Sequence, residues 1–247
     1  MGLAIAAKLL DAHLEIAVHE ETTYIRFLED LLTSEQMEQR RKSQETRLEL
    51  SKLPHSKPLE DFDFSFQSSI DKRQLEELET LSFAHRAENV ILLGPPGVGK
   101  THLAVGLGLK ALEAGMVVYY TTLSDLIEDL KKAQAQGNLE CRWRVYLRPA
   151  VLVIDEIEYR QLSHQETELF FRLISQRYEH GNIILTSNKY FSGWRELLSG
   201  NVLATALLDR LLHHAHVLNI RGETYRLKDR QKTGVVTVPP TSIPADS

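Results

Sequence analysis

The sequence predicts a three-layer α/β domain with a five-stranded parallel sheet, preceded by a small all-helical N-terminal domain. Three observations predict it. Short apolar runs alternate with amphipathic helical stretches from residue 90 to residue 220, the pattern of parallel strands joined by crossover helices. Val90–Leu93 runs into the glycine-rich segment Gly94–Thr101, and a helical pattern follows at once. Fifty-odd residues later, the apolar run Val151–Ile154 ends in two adjacent acids, Asp155 and Glu156.

The chain has 247 residues, enough for one substantial core and a smaller module. It is 43% hydrophobic and 26% charged, an ordinary globular composition. The single cysteine, Cys141, excludes a disulfide framework and suits a reducing cytoplasm. The apolar run at Leu3–Ala7 is too short to span a membrane, and Met1-Gly2 lacks the Ser or Thr at position 6 of a myristoylation signal. The net charge of −5 does not announce nucleic-acid binding, so any DNA contact must come from local basic patches.

In chain order, residues 1–57 read as the helical domain and its linker. Tyr24, Leu28, Leu31 and Leu32 share one helical face. The charged stretch that follows contains Arg40, Arg41 and Lys42 among several glutamates. It is either a solvated helix or a basic face for DNA or a partner. Pro54 and Pro58 block helix continuation and mark the linker. Leu59–Phe66 either packs on the core or approaches a nucleotide base. Leucines 75, 78 and 81 mark an amphipathic helix over 71–82.

Residues 58–232 form the α/β domain. Gly94, Pro95, Pro96, Gly97, Val98, Gly99, Lys100 and Thr101 satisfy G-x-x-x-x-G-K-[ST], a phosphate-binding loop. Its glycines let backbone N–H groups approach phosphate oxygens, and the next helix aims its positive N-terminus at them. Lys100 then reaches the β- and γ-phosphates, and Thr101 ligates Mg²⁺. That helix buries Leu103, Ala104, Leu107 and Ala111 and stops near Gly115.

Met116–Thr121 is the second strand. About 29 residues (122–150) separate it from the third, room for two helices rather than one. The first, capped at Thr122–Asp125, buries Leu123, Leu126, Ile127 and Leu130. The second carries Leu139, Trp143 and Leu147 on one side. Lys131, Lys132, Arg142 and Arg144 fall on other faces, as a solvated surface or as a wedge that faces DNA phosphates.

In Val151–Glu156, Asp155 is placed to hold Mg²⁺ and Glu156 to act as general base on a water. Ser163–Glu166 is a capping box for a helix with Phe170, Leu173, Ile174 and Tyr178 on one face. Asn182–Thr186 is the fourth strand, and Asn188 at its end reaches the γ-phosphate or the water. Leu203–Leu212 is helical and contains Arg210, read as an arginine finger donated to a neighbouring subunit. His213, His214 and His216 crowd together, but adjacent helical residues point about 100° apart, which argues against a shared metal. Ala215–Ile220 is the fifth strand, and residues 233–247 read as a disordered tail.

Several chemistries use such a loop. Asn188-Lys189-Tyr190 is followed by Phe191 rather than the Asp that reads guanine, and a water-activating Glu156 favours hydrolysis over small-molecule kinase chemistry. The chain resembles the IstB family of transposition helper ATPases, of the AAA+ initiator clade that includes DnaC-type helicase loaders and DnaA. The resemblance rests on LEDFDF (59–64), GPPGVGKTHLA (94–104), VLVIDE (151–156), ILTSN (184–188), LLDRLLHHA (207–215) and GETYRLK (222–228).

It implies an AAA+ ATPase that binds ATP, Mg²⁺ and duplex DNA, assembles into a higher oligomer, remodels the DNA and recruits a cognate transposase. Thr101 and Asp155 carry over as Mg²⁺ ligands, Lys100 and His102 as part of the nucleotide loop, and Glu156 as base. Asn188 carries over as sensor, Arg210 as finger in trans, and Arg226 as a second nucleotide-sensing arginine. The N-terminal helices contact DNA or the transposase, and the inserted helices line the DNA path. A helicase loader is the alternative.

Overall fold

A computed structural model describes residues 3–54, 57–65, 67, 69–157, 161–198, 201–222, 224 and 225. Arg226 and the tail 233–247 lie outside the described residues. The chain divides between Ser51 and Lys52 into two compact units.

The N-terminal unit pairs α1 (Ala4–His19) with α2 (Tyr24–Ser51). Leu3 gives α1 no side-chain cap. The Glu35 carboxylate of α2 takes over, accepting the N–H groups of Ile5 at 2.9 Å and Ala6 at 2.5 Å. These are amides that a helix start leaves without partners, so one buried acid both caps α1 and fixes its seat on α2. Of the face read from the sequence, Leu31 is buried while Tyr24, Leu28 and Leu32 are exposed. A two-helix unit has one seam, and only Leu31 of this set falls in it.

The second unit opens with a 3₁₀ turn (Leu59–Asp61) and α3 (Lys72–Glu79), whose N-cap Asp71 accepts the Arg73 N–H at 2.9 Å. Leu81 turns the chain with φ +58° into α4 (Ser82–His85). Leu75, Leu78 and Leu81 are all buried. Then follow β1 (Asn89–Leu93), α5 (Lys100–Glu113), β2 (Val118–Thr122), α6 (Leu123–Ala135), α7 (Leu139–Leu147) and β3 (Val151–Asp155). The unit continues with α8 (His164–Arg177), β4 (Asn182–Ser187), α9 (Phe191–Leu197), α10 (Asn201–Leu212) and β5 (Ala215–Asn219).

The sheet is parallel throughout, in the order β2-β3-β4-β1-β5. Its three layers follow from helices on both faces. Ile91, Leu93, Leu152, Ile154, Ile183 and Leu185 share a core with α6 to α10. Their alternates Val90, Leu92, Val151, Val153 and Ile184 are equally buried, and α5 packs across the strands. A sheet covered twice needs continuous apolar strands, which is why these read as runs rather than alternations.

The two helices expected between β2 and β3 are present. Thr122 caps α6 by accepting the Asp125 N–H at 3.1 Å, and Ser163 and Glu166 complete both halves of the capping box on α8. Two elements were not anticipated, α4 and α9. α9 is short and carries Gly193 in its first turn, yet Trp194, Leu197 and Leu198 are buried.

Arg177, also unanticipated, is 2% exposed. Its guanidinium donates to the carbonyls of Tyr146 (2.8 Å), Pro149 (3.0 Å) and Asn182 (2.7 Å), joining α8 to the α7–β3 connection and to β4. Burial pushes its pKa down to about 10, so it is charged at neutral pH.

Candidate nucleotide-binding site

The Gly-rich loop leaves the C-terminal end of β1, and the Gly94 N–H donates to Ser187 O at 3.1 Å. None of its three glycines has a substitute. Gly94 has φ +155°, and a Cβ there would lie 2.2 Å from the backbone oxygen of Ile220. Gly97 has φ +82°, and a Cβ there would lie 2.0 Å from Thr224 Oγ1. Gly99 has φ +98°, and its Cβ would lie 2.5 Å from the Phe62 ring. α5 starts at Lys100, so its first amides open toward the loop. Lys100 is buried, and its ammonium donates to Gly94 O at 2.7 Å and Pro95 O at 2.9 Å. Amides, a helix start and a held ammonium suit a polyphosphate.

Asp155, 1% exposed, closes β3. Three hydroxyls converge on it: Thr101 Oγ1 at 3.1 Å and Thr186 Oγ1 on Oδ1, and the Tyr120 phenol on Oδ2 at 2.7 Å. Burial first, and the Asp155 charge second, push the Tyr120 phenol far above its ordinary range, so it stays a donor. A carboxylate beside a threonine at the foot of the loop is a hard-oxygen donor set that fits Mg²⁺.

Glu156, the next residue, is exposed and left-handed with φ +57°. That conformation costs an L-residue about 1–2 kcal/mol. It is held because the Glu156 N–H donates to Thr186 Oγ1 at 3.0 Å and the Ile157 N–H to Thr186 O at 3.1 Å. Ser187 Oγ also donates to Ile157 O at 3.0 Å. β4 thus fastens the bend that turns Glu156 out of the strand. Asn188 follows Ser187, half-buried, at the end of this central strand.

A cleft of about 370 Å³ adjoins the loop, lined by Lys57, Asp61, Phe62, Asp63, Lys100, Thr101, His102 and Tyr225 among others. Leu59 and Phe62 are buried, so residues 59–65 of the Leu59–Phe66 segment pack on the core through these two side chains and also line the cleft, while Phe66 lies outside the described residues. The Phe62 ring meets His102 edge-on at 5.2 Å, and His102 Nε2 is 2.7 Å from Pro58 O. Tyr225 was missed by sequence reasoning, although it lies in the GETYRLK segment. Its N–H donates to Gly97 O at 3.0 Å and its hydroxyl to Asp63 O at 2.5 Å, so the chain after β5 closes over the loop. Burial, then Asp63, raises the Tyr225 phenol.

The model of the IstB-like ATP binding protein family matches residues 1–233. A protein of Pseudomonas aeruginosa, provisionally named as the ATP-binding protein of insertion sequence IS21, is 48% identical over 96% of this chain and 89% of its own. A Geobacillus stearothermophilus protein, provisionally named for insertion sequence IS5376, is 45% identical over 94% of this chain and 92% of its own. The chain belongs to the IstB-like ATP-binding family. Its fold is the AAA+ arrangement. It is similar to the crystal structure of the DnaC helicase loader, with a TM-score of 0.51 and 27% identity over 60% of this chain and 88% of that one. The replication initiator DnaA, bound to AMPPCP and single-stranded DNA, shares the fold alone, with a TM-score of 0.58 and 18% identity over 74% and 55% of the two chains.

In this IstB-like chain Arg210 lies away from the loop. Its guanidinium sits 4.7 Å over the Phe171 ring. The carbonyl of the adjacent Leu211 accepts from Asn89 Nδ2 at 3.0 Å, and Asn89 is the first residue of β1. The loop leaves the other end, about 16 Å along a five-residue strand. Arg210 and the cleft therefore occupy opposite ends of the sheet.

Most of the cations read as DNA candidates are held in ion pairs. Arg41 meets Glu38 and Glu45, each at 2.5 Å, and Lys42 meets Glu38 at 3.9 Å. Lys131 meets Glu166 at 2.9 Å, Lys132 meets Glu128 at 2.7 Å, and Arg142 meets Asp129. Arg40 and Arg144 are exposed and make no ion pair among the described residues. The histidine run is not helical. α10 ends at Leu212, so the 100° argument does not apply, and the His213 and His214 rings stand 4.1 Å apart. His216 sits in β5, 2.8 Å from Glu88. Among the described residues no helix is long and apolar enough to cross a membrane.

Proposed function

We propose that the chain is a DNA-stimulated ATPase that regulates transposition, assembling on duplex DNA, remodelling it and recruiting the transposase of its insertion sequence. The observation that carries the reading is the Thr101–Asp155 pair at the foot of the loop with Glu156 held beside it. ATP phosphates would take the loop amides and draw Lys100 off the Gly94 and Pro95 carbonyls. Mg²⁺, held by Thr101 and Asp155, would neutralise phosphate charge. Glu156 takes a proton from water as its oxygen attacks the γ-phosphorus, the β–γ bridging bond breaks, and ADP leaves. Asn188, beside Ser187, orients the water.

Arg210 at the far end of the sheet supports a site shared between subunits, each supplying its finger to the next. Assembly would sum weak phosphate contacts, so an acidic chain can hold DNA. Arg40 and Arg144 are the cations best placed to contribute, because DNA need not displace an acid from them. Arg226 remains assigned as a second sensor on the resemblance alone. The insertion-sequence names of the relatives support a transposase as partner.

The likeness to the DnaC loader favours a second reading, a loader of a ring helicase. The test is ATP turnover with and without duplex DNA, electron microscopy of the ATP–DNA mixture, and capture by transposase against replicative helicase. Stimulated turnover, filaments or rings on DNA, and transposase capture support the first reading. Helicase capture alone replaces it with the second.

A further inference from the structure

Two turns meet at the end of the sheet near which α10 presents Arg210. Tyr178 and Glu179 follow α8, and His213 and His214 follow α10. One ligand atom from each of Glu179, His213 and His214 lies within 4.8 Å of the others, and all three side chains are exposed. Neighbouring residues present both imidazoles together because the chain leaves the helix at Leu212. Glu179 holds the left-handed conformation, φ +62°, where it joins them.

Tyr178 adds a further feature. Its hydroxyl is 2.7 Å from His213 Nδ1, which leaves Nε2 for another partner. A metal-binding histidine characteristically donates its second ring N–H to an oxygen, which fixes its tautomer and orientation. The Tyr178 oxygen is placed to accept that hydrogen. Two imidazoles and a carboxylate are a donor set suited to zinc.

We propose that Glu179, His213 and His214 form a Zn²⁺ site, with water in the fourth position. Bonds of about 2.0–2.2 Å in a tetrahedron put ligand atoms about 3.3 Å apart, a closure that exposed side chains make by rotation. The ion would tie the turn after α8 to the turn after α10. Arg210 lies three residues before His213 and rests on Phe171 of α8, so the same ion would steady the helices that present Arg210. The site stands whether or not Arg210 acts in trans.

The test uses the full chain without a polyhistidine tag, stripped with chelator and free of nucleotide and Mg²⁺. Zn²⁺ is titrated calorimetrically, and Co²⁺ is followed by its visible absorption. One equivalent of Zn²⁺ and the intense bands of four-coordinate Co²⁺ are expected. His214→Ala and Glu179→Gln should each weaken binding about 10-fold or more, and Tyr178→Phe about 10-fold. His216→Ala, whose side chain pairs with Glu88, should leave binding unchanged. Glu179→Gln keeps size and shape, so its effect does not depend on tolerance of a truncation. Absence of saturable binding in the wild type overturns the proposal, as does equal affinity in His214→Ala and Glu179→Gln.

Discussion

The phenol of Tyr120 donates to Asp155 Oδ2 at 2.7 Å, from the strand next to the one the acid closes. This bond orients the carboxylate that, with Thr101, is proposed to hold Mg²⁺. Tyr120→Phe keeps the ring and removes the donor. ATP turnover should fall about 10–100-fold, with more Mg²⁺ needed for half-maximal rate, the range seen when a ligand's supporting partner is lost. Turnover measured across Mg²⁺ concentrations checks this, and an unchanged profile would leave Asp155 oriented by its two threonines alone.

Lys100→Ala removes the ammonium at the loop and should abolish ATP binding, read by a fluorescent ATP analogue. ATP-dependent DNA binding should vanish with it, and its persistence would show that assembly on DNA does not depend on this nucleotide site. Arg210→Ala should keep ATP binding and lose turnover by about 10³-fold. The two defects fall on opposite ends of the sheet. A mixture of the two variants should therefore recover part of the activity, because one protomer supplies a cleft and the other a finger. No recovery at any ratio would place the finger elsewhere.

Glu35 gives the N-terminal unit an acid sensitivity. Its pKa is lowered in the folded chain, first by the Ala6 N–H. A depressed carboxylate contributes stability above its unfolded pKa and loses it as pH falls through the folded value. Hydrogen-exchange protection at Ile5 and Ala6 should thus be full near neutral pH and decline in acid. Glu35→Gln should be less protected at neutral pH and lose that dependence. Identical profiles would remove Glu35 as the cap of α1.

Arg177→Met replaces the buried guanidinium with an apolar chain of similar length. The carbonyls of Tyr146, Pro149 and Asn182 then lose their donor, a cost of about 3 kcal/mol or more. The melting temperature should drop by several degrees. A melt within a degree of wild type would show that water replaces the guanidinium.

The sequence by itself determined the local elements and the chemistry of the loop. Apolar runs marked five strands, capping residues marked helix starts at Thr122 and Ser163, and the glycine spacing of 94–101 marked the phosphate loop. These signals lie within a few residues of what they specify. α9 escaped because seven residues containing Gly193 give a weak period, although Trp194 and Leu197 pack in the core.

Only the tertiary structure decided which distant residues meet. The sheet order inserts β4 between β1 and β3, so Thr186 hydroxyl joins Asp155 to Glu156, and Ser187 meets Gly94. It brings Tyr120 to Asp155, Tyr225 over the loop and Glu179 to the two histidines. It also places Arg210 at the end of β1 opposite the loop. Periodicity records which face of an element is apolar. Which element covers that face is settled by the packing of the whole chain, and the polar contacts at strand ends follow from that packing.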